Sequence, residues 1–204
     1  SAFTAPVPRS RLTAWLARAP DPVFTLFVIF VSFSTYFCMY AFRKPFSAAS
    51  YQGLKFLGGE VDLKTAFVVS QIIGYALSKI IGIKVCAEIG RQRRAQGLVL
   101  MILLAELSLL FFAILPNDLK VVAIFFNGLP LGMVWGLVVL YLEGRRTSEM
   151  LLAGLSCAYI VASGAVKDIG LWLMSSFQVD QFWMPCATGL CFLPLFLGSV
   201  WLLN

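Results

Sequence analysis

Long runs of apolar residues recur along the chain, separated by short polar gaps. A helix needs about 20 mostly apolar residues to cross a hydrocarbon core about 30 Å thick. Helices suit lipid because each backbone polar group there has to be satisfied within the segment. Six runs are long enough, and they predict transmembrane helices over residues 22–42, 65–85, 97–115, 121–142, 150–174 and 182–203. The predicted fold class is all-α, a polytopic membrane helix bundle.

The composition supports a lipid environment. Of the 204 residues, 60% are hydrophobic and 13% are charged, whereas soluble domains carry about 25% charged residues. The chain contains no histidine, which excludes histidine-based catalysis and histidine metal ligation within it. The sequence shows no glycine-rich phosphate loop, paired carboxylate site or serine nucleophile elbow. We expect the protein not to be an enzyme and to use no cofactor or metal.

Basic residues are concentrated in the gaps between apolar runs. This placement explains the net charge of +6 without a nucleic-acid partner. The positive-inside rule then places the N-terminus, and the end after helix 6, in the cytoplasm. Residues 1–21 lack the apolar core of a signal peptide and are predicted to form a cytoplasmic segment before a membrane domain over 22–204. The absence of targeting features is compatible with a bacterial inner membrane.

Two predicted helices carry small residues at every fourth position. They are Gly128, Gly132 and Gly136 on helix 4, and Gly154, Ala158 and Ala162 on helix 5. Small residues at this spacing let helix backbones approach closely in lipid. Both helices are therefore predicted to pack tightly against a neighbour, although this pattern does not identify a substrate.

Charged residues stand within or beside several predicted spans, where a charge at mid-membrane costs about 2.5–3.5 kcal/mol. Arg43 and Lys44 end the first run. Because residues 45–51 stay mostly small and apolar, helix 1 is expected to continue past the pair. Alternatively, the pair is a cationic flank that extends to the headgroups. Lys79 in helix 2 either faces an interior cavity or extends toward the cytoplasmic interface.

Glu106 lies near the centre of helix 3. It is expected to be protonated, paired with a cation or part of a proton pathway, which makes it a candidate for coupling. An ion pair with Lys167, a second coupling candidate, is the structural alternative. Lys167 and Asp168 are adjacent and project about 100° apart on a helix. Either one points inward while the other meets a neighbouring helix, or helix 5 ends early and both lie near the outer interface.

A family resemblance begins at the end of the first run. The stretch from Tyr36 to Ala49, Tyr-Phe-Cys-Met-Tyr-Ala-Phe-Arg-Lys-Pro-Phe-Ser-Ala-Ala, resembles helix 1 of organophosphate:phosphate antiporters in the major facilitator superfamily. The stretch Gly-Tyr-Ala-Leu-Ser-Lys at 74–79 is similar to the helix 2 motif of that family. There the helix 1 arginine and the helix 2 lysine bind substrate phosphate, so the resemblance implies these roles for Arg43 and Lys79. Candidate polar or stacking walls are Tyr36, Tyr40, Tyr75 and Tyr159.

Two further segments extend the resemblance. The loop over residues 82–94 is similar to the signature loop of the superfamily, with Glu88 in the usual aspartate position. It implies a breakable latch on the cytoplasmic side, formed by Glu88, Arg91, Arg93 and Arg94; alternatively, these arginines only set the topology. In helix 5, Tyr159 stands where those antiporters have a histidine. A tyrosine donates a hydrogen bond but cannot become cationic, so the substrate is expected to differ.

The resemblance implies the N-terminal six-helix half of a twelve-helix transporter, built from two inverted three-helix repeats. Its partners are then a small-molecule solute, the lipid bilayer and a C-terminal six-helix half in the parent chain. The implied function is secondary active transport of a small organic anion, a phosphate ester or a carboxylate, by alternating access. One alternative is a proton-coupled transporter of a neutral or cationic solute. Another is a non-transporting membrane scaffold or sensor of the same fold.

Overall fold

The computed structural model describes residues 20–90, 93–142 and 148–203. Six long helices follow one another in this part of the chain: α1 (Asp21–Ala41), α2 (Leu63–Glu88), α3 (Arg94–Ile114), α4 (Asn117–Leu142), α5 (Ser148–Phe177) and α6 (Met184–Leu203). All six are long and apolar enough to cross a membrane. The predicted all-α membrane bundle is confirmed. The predicted N-terminal segment lies almost entirely outside the described residues.

The main contacts between helices form a repeated pattern. α1 packs against α5 and α6, α4 packs against α2 and α3, and α3 also packs against α6. Exchanging α1, α2 and α3 for α4, α5 and α6 leaves these five contacts unchanged, whereas the contact between α5 and α6 has no counterpart of similar extent between α2 and α3. Because equivalent helices are three crossings apart, they traverse the membrane in opposite directions. The contacts therefore follow the pattern of two inverted three-helix repeats.

Glycines on α4 let it pack directly on the backbone of α2. A Cβ atom added at Gly128 would lie 2.9 Å from the backbone nitrogen of Tyr75, and one at Gly132 would lie 2.9 Å from the Tyr75 carbonyl oxygen. The predicted tight packing of helix 4 is confirmed, and its partner is α2. On α5, Ala162 is fully buried, whereas the side chains at 154 and 158 lie outside the described set.

The expected continuation of helix 1 past Arg43 is wrong. α1 ends at Ala41, a turn follows, and a short 3₁₀ helix begins at Pro45. Proline has no N–H to donate to the preceding turn and disfavours continuation of a helix through its position. The apolar residues beyond it serve the core instead, since Phe46, Ala49 and Tyr51 are buried.

The loop between α1 and α2 covers one end of the bundle. The Tyr51 ring packs against Phe67, Phe112 and Phe182, with ring centroids 5.3, 6.3 and 5.3 Å away. The backbone N–H of Leu57 donates to Asp118 at the start of α4, over 2.8 Å. These contacts join the α1–α2, α3–α4 and α5–α6 connections at the same end of the molecule.

The buried side chain of Lys120 stabilises the same end of the bundle. Its ammonium donates hydrogen bonds to the carbonyls of Ala113 and Leu115 at the end of α3. It also lies 4.4 Å from the ring centroid of Phe182. Cations near a helix C-terminus satisfy its free carbonyls and interact favourably with its dipole. This buried lysine is accounted for by helix capping.

Candidate functional site

The ring of Tyr75 brings together the two cations singled out from the sequence. The Arg43 guanidinium carbon lies 4.0 Å from the centroid of this ring, and the Lys79 ammonium lies 5.2 Å from it. Arg43 also lies 5.7 Å from the centroid of Tyr40. Cations within about 6 Å of an aromatic centroid are attracted by the ring. Arg43 and Lys79 therefore share one aromatic platform, supplied by α2.

Three of the other tyrosines surround this platform. The rings of Tyr36 and Tyr40 meet edge to face at 5.6 Å, and both side chains are buried. Tyr36 and Tyr40 lie near Tyr75 and Arg43, and Tyr159 lies near Tyr40. Tyr159 itself is 43% exposed. The predicted walls thus lie at one site, enclosed on the α1 side and open at Tyr159.

Close packing between α2 and α4 positions the platform. The backbone nitrogen and carbonyl of Tyr75 face Gly128 and Gly132, which have no side chains to hold α2 away. A larger residue at either position would displace the turn of α2 that bears Tyr75. The glycines of α4 therefore fix the position of the Tyr75 ring relative to Arg43.

Two buried amides hold the turn that carries Arg43. Gln71 donates through Nε2 to the Arg43 carbonyl over 3.0 Å and to Oδ1 of Asn127 over 2.8 Å. Asn127 donates through Nδ2 to the carbonyls of Phe42 and Ala105, each over 3.1 Å. The end of α1 leaves carbonyls without intrahelical partners, and an unpaired carbonyl in the hydrocarbon region costs several kcal/mol. The amides satisfy these carbonyls and so permit α1 to end inside the bundle.

Within the described part of the chain, no carboxylate forms an ion pair with the cations at this site. The ion pair found among the described residues is Lys55–Asp62, in the loop before α2. The Nε of Arg43 is buried without a hydrogen-bond partner. Burial lowers the pKa of the Lys44 ammonium, and the charges of Arg43 and Lys167 lower it further. Lys44 therefore lies near two further basic groups, Arg43 and Lys167.

The position of Lys167 resolves two alternatives. α5 continues to Phe177, so the interpretation in which helix 5 ends early is wrong. Lys167 is half-buried, whereas Asp168 is exposed, as expected for side chains that project in different directions. Lys167 interacts with Lys44 at the end of α1. It makes no ion pair with Glu106 within the described part of the chain.

Glu106 is enclosed by protein. Its side chain is 8% exposed. Oε1 accepts a hydrogen bond from the Cys186 thiol on α6 over 3.1 Å, and Oε2 is buried without a partner. The carboxyl group lies against Gly189, where an added Cβ atom would be 3.1 Å from its carbon. The structure thus encloses this carboxyl group without a counter-ion among the described residues.

The predicted latch is described in part. Arg91 lies outside the described residues, and the side chains of Glu88 and Arg93 are exposed. Arg94 donates from Nη1 to the Leu140 carbonyl over 2.7 Å, which ties the start of α3 to the end of α4. Arg94 thus has a structural contact at this end, and the latch itself stays a prediction.

Residues 45–204 match DUF5690, a family of unknown function. The chain belongs to this family. The match includes Tyr75, Lys79 and Glu106, whereas Arg43 lies two residues before its first position. A comparison with curated proteins gave no match.

Sequence reasoning missed the amides of this DUF5690 chain. Gln71 and Asn127 are polar residues inside apolar runs, as Arg43 and Glu106 are, and that was the available signal. A buried amide in lipid is costly unless it is hydrogen-bonded, just as a buried charge is costly unless it is paired. Their partners are backbone carbonyls on other elements, and these have no signature in the sequence.

Proposed function

We propose that this DUF5690 protein is a secondary transporter of a small organic anion, a phosphate ester or a carboxylate. The observation that carries the proposal is the pair of cations on the Tyr75 ring, Arg43 and Lys79, with no carboxylate paired to either among the described residues. Cations in the membrane region are costly unless they are paired or functional. An anionic solute supplies the missing counter-charge.

Each residue has a distinct role in the proposed site. Arg43 binds the oxyanion through bidentate hydrogen bonds, and Lys79 adds a compact positive charge. Lys44 and Lys167 raise the local positive potential around Arg43. The aromatic walls exclude water and position the organic part of the solute; they are Tyr36, Tyr40, Tyr75 and Tyr159.

The proposal includes the architecture implied by the resemblance. The chain is then the N-terminal half of a major facilitator transporter in a bacterial inner membrane, and its N-terminus lies in the cytoplasm. Substrate binds near mid-membrane, between this half and a C-terminal half of the parent chain, and rocking of the halves gives alternating access. Supporting features are the repeated helix contacts and the exposure of Lys79 and Tyr159. The latch of Glu88 with the basic loop belongs to the same proposal.

Ligand-dependent thermal stabilisation of the purified parent protein tests the proposed site. The solutes are glycerol 3-phosphate, succinate, glucose and ethanolamine, and the variants are Arg43→Ala and Lys79→Ala. Lys84→Ala is the matched control, because Lys84 is an exposed lysine five residues further along α2. Bound solute stabilises by about 2.7 kcal/mol at a hundredfold excess over Kd. We expect an anion to raise the Tm of the wild type and of Lys84→Ala, and to have little effect on the other two variants.

Two other results would redirect the assignment. Stabilisation by glucose or ethanolamine that persists in Arg43→Ala would contradict anion binding and favour a proton-coupled transporter of a neutral or cationic solute. The buried carboxyl group of Glu106 is the observation that favours this second function. If no solute stabilises the protein, a scaffold or sensor that has lost transport becomes the better assignment.

A further inference from the structure

Glu106 is the acidic group that the proposed anion site leaves unexplained. With 8% of its side chain exposed, no paired cation among the described residues and one oxygen without a partner, the carboxyl group is poorly solvated. An ionised carboxylate moved into such surroundings is so costly that it normally takes up a proton instead. The geometry of this pocket therefore favours a neutral, protonated carboxyl group.

The groups facing Glu106 do not supply a compensating charge. α6 contributes the Cys186 thiol at 3.1 Å and the bare backbone of Gly189. The turn after α1 contributes the Phe42 ring, and α4 contributes Asn127, which is bonded to the neighbouring carbonyl of Ala105. The titratable group among these is the thiol, a weak hydrogen-bond donor. A proton on Glu106 is thus the direct means of removing its charge.

Two physical connections run from Glu106 to the anion site. The first is Phe42: a Cβ atom added at Gly189 would lie 3.1 Å from the Phe42 ring and 3.1 Å from the Glu106 carboxyl carbon. The ring and the carboxyl group therefore occupy the same small space over Gly189. Phe42 is fully buried and directly precedes Arg43. A rearrangement that admits water to Glu106 on the Gly189 side moves this ring or α6.

The second connection is the pair of amides. Asn127 is bonded to the carbonyl of Ala105, which directly precedes Glu106, and to the carbonyl of Phe42. Gln71 connects the same amide to the carbonyl of Arg43. A displacement of α3 at Glu106 is therefore transmitted by hydrogen bonds to the turn that carries Arg43. Both connections converge on residues 42 and 43.

We propose that Glu106 is a proton-binding site linked to anion binding at Arg43 through Phe42 and the Gln71–Asn127 pair. The inference rests on the proposed function, because it needs an anion at Arg43. Glu106 takes up one proton from water and becomes neutral. Ionisation adds a negative charge to the same bundle and disturbs the Arg43 turn, so the protonated form binds the anion more tightly. By linkage, bound anion strengthens proton binding by the same factor.

Sulfate is the probe for this linkage. It remains a dianion between about pH 5.5 and pH 8.5, so a change of its Kd in this range reports the titration of protein side chains. Its Kd would be measured by thermal stabilisation across this range for the wild-type parent protein, Glu106→Gln and Gln71→Met. Glu60→Gln is the matched control, because Glu60 is an exposed carboxylate in the α1–α2 loop. Infrared difference spectra between the two pH limits detect a protonated carboxyl group independently of any anion.

The expected result is a sulfate Kd that is at least about fivefold lower at the acidic limit, the lower end of typical coupling between sites. This dependence should persist in Glu60→Gln, vanish in Glu106→Gln and shrink in Gln71→Met. The infrared band of the protonated carboxyl group should be missing in Glu106→Gln and present in the wild type and in the other two variants. A pH-independent Kd in the wild type, or an unchanged dependence in Glu106→Gln, would overturn the linkage.

The two proposals fail in different ways. If sulfate and the organic anions all leave the wild type unaffected, the anion site is wrong and the linkage fails with it. If sulfate binds but the carboxyl band is absent, the anion site stands and the proton site is wrong. If Gln71→Met does not fold, Glu106→Gln still decides the outcome, since glutamine keeps the shape of the side chain.

Discussion

At the scale of single residues, Asn127 connects more of the site than any charged side chain does. It is fully buried, and its amide bonds to Gln71 and to carbonyls from the α1–α2 turn and from α3. All of its partners lie more than 20 positions away in the sequence. The interior of the bundle is consequently polar at one depth, where α1 ends and the site begins.

Replacing Asn127 by leucine should destabilise the protein. Leucine is similar in size, but it removes the hydrogen bonds of Asn127, which leaves the Phe42 carbonyl and one N–H of the Gln71 amide without that partner. Each buried group left unsatisfied costs about 1–3 kcal/mol. The free energy of unfolding in mixed micelles, titrated with a denaturing detergent, measures the loss. Asn117→Leu serves as the control because Asn117 is exposed at the start of α4; equal stability of the two variants would contradict this role.

At the scale of helices, the α2–α4 contact is set by the absence of side chains. Gly128 faces the backbone of α2 at Gln71 and Tyr75, and backbone atoms cannot rotate away as side-chain atoms can. In lipid, helices gain little from hydrophobic association, so van der Waals contact at this distance contributes much of their attraction. The same contact holds both Gln71 and Tyr75 in the site.

The substitution Gly128→Ala should therefore separate α2 from α4. Forcing one methyl group into a filled space typically costs about 1–3 kcal/mol, and the shift also moves Tyr75. Gly164→Ala is a matched helical control on α5, where an added Cβ atom meets nothing within 4 Å. There alanine should be neutral or slightly stabilising, since glycine weakens a helix by about 0.5–1 kcal/mol. Unfolding measurements that show the same sign for both variants would refute the tight-contact interpretation.

At the scale of the whole molecule, charged groups and loops are divided between two ends. One end carries the α1–α2 loop, Asp118 and the α5–α6 connection, which contact each other. The other end carries the start of α3 and the end of α4, tied by Arg94. The basic residues Lys84, Arg93 and Arg94 lie at this second end, and the positive-inside rule predicts that it faces the cytoplasm.

Labelling of single cysteines tests this orientation. In a background with the five native cysteines replaced, Lys55→Cys and Lys84→Cys place exposed thiols at the two ends. We expect a membrane-impermeant maleimide to label Lys55→Cys on intact cells and Lys84→Cys only after permeabilisation. The reverse pattern would invert the topology. It would also contradict the cytoplasmic latch, because Glu88 lies at the same end of α2 as Lys84.

Much of the fold was accessible from local patterns. The length of the mostly apolar runs predicted six spans, because a helix in lipid satisfies its backbone within itself and needs only to match the bilayer. The four-residue glycine spacing predicted the close contact of α4, although not its partner. At the site, the cost of charge in lipid singled out Arg43, Lys79 and Glu106 before their surroundings were known. Each of these predictions depends only on a residue and its neighbours in the sequence.

Tertiary structure decided what those residues meet. The end of α1 depends on amides contributed by α2 and α4, so the apolar residues after Arg43 misleadingly suggested a longer helix. An ion pair with Lys167 was the structural alternative for Glu106, but helix packing brings Lys167 near Lys44 and forms no such pair among the described residues. The six spans and their internal charges were thus determined by the sequence itself, through hydrophobic length and desolvation cost. The pairing of polar groups was determined by which helix faces come together, and no local pattern specifies that.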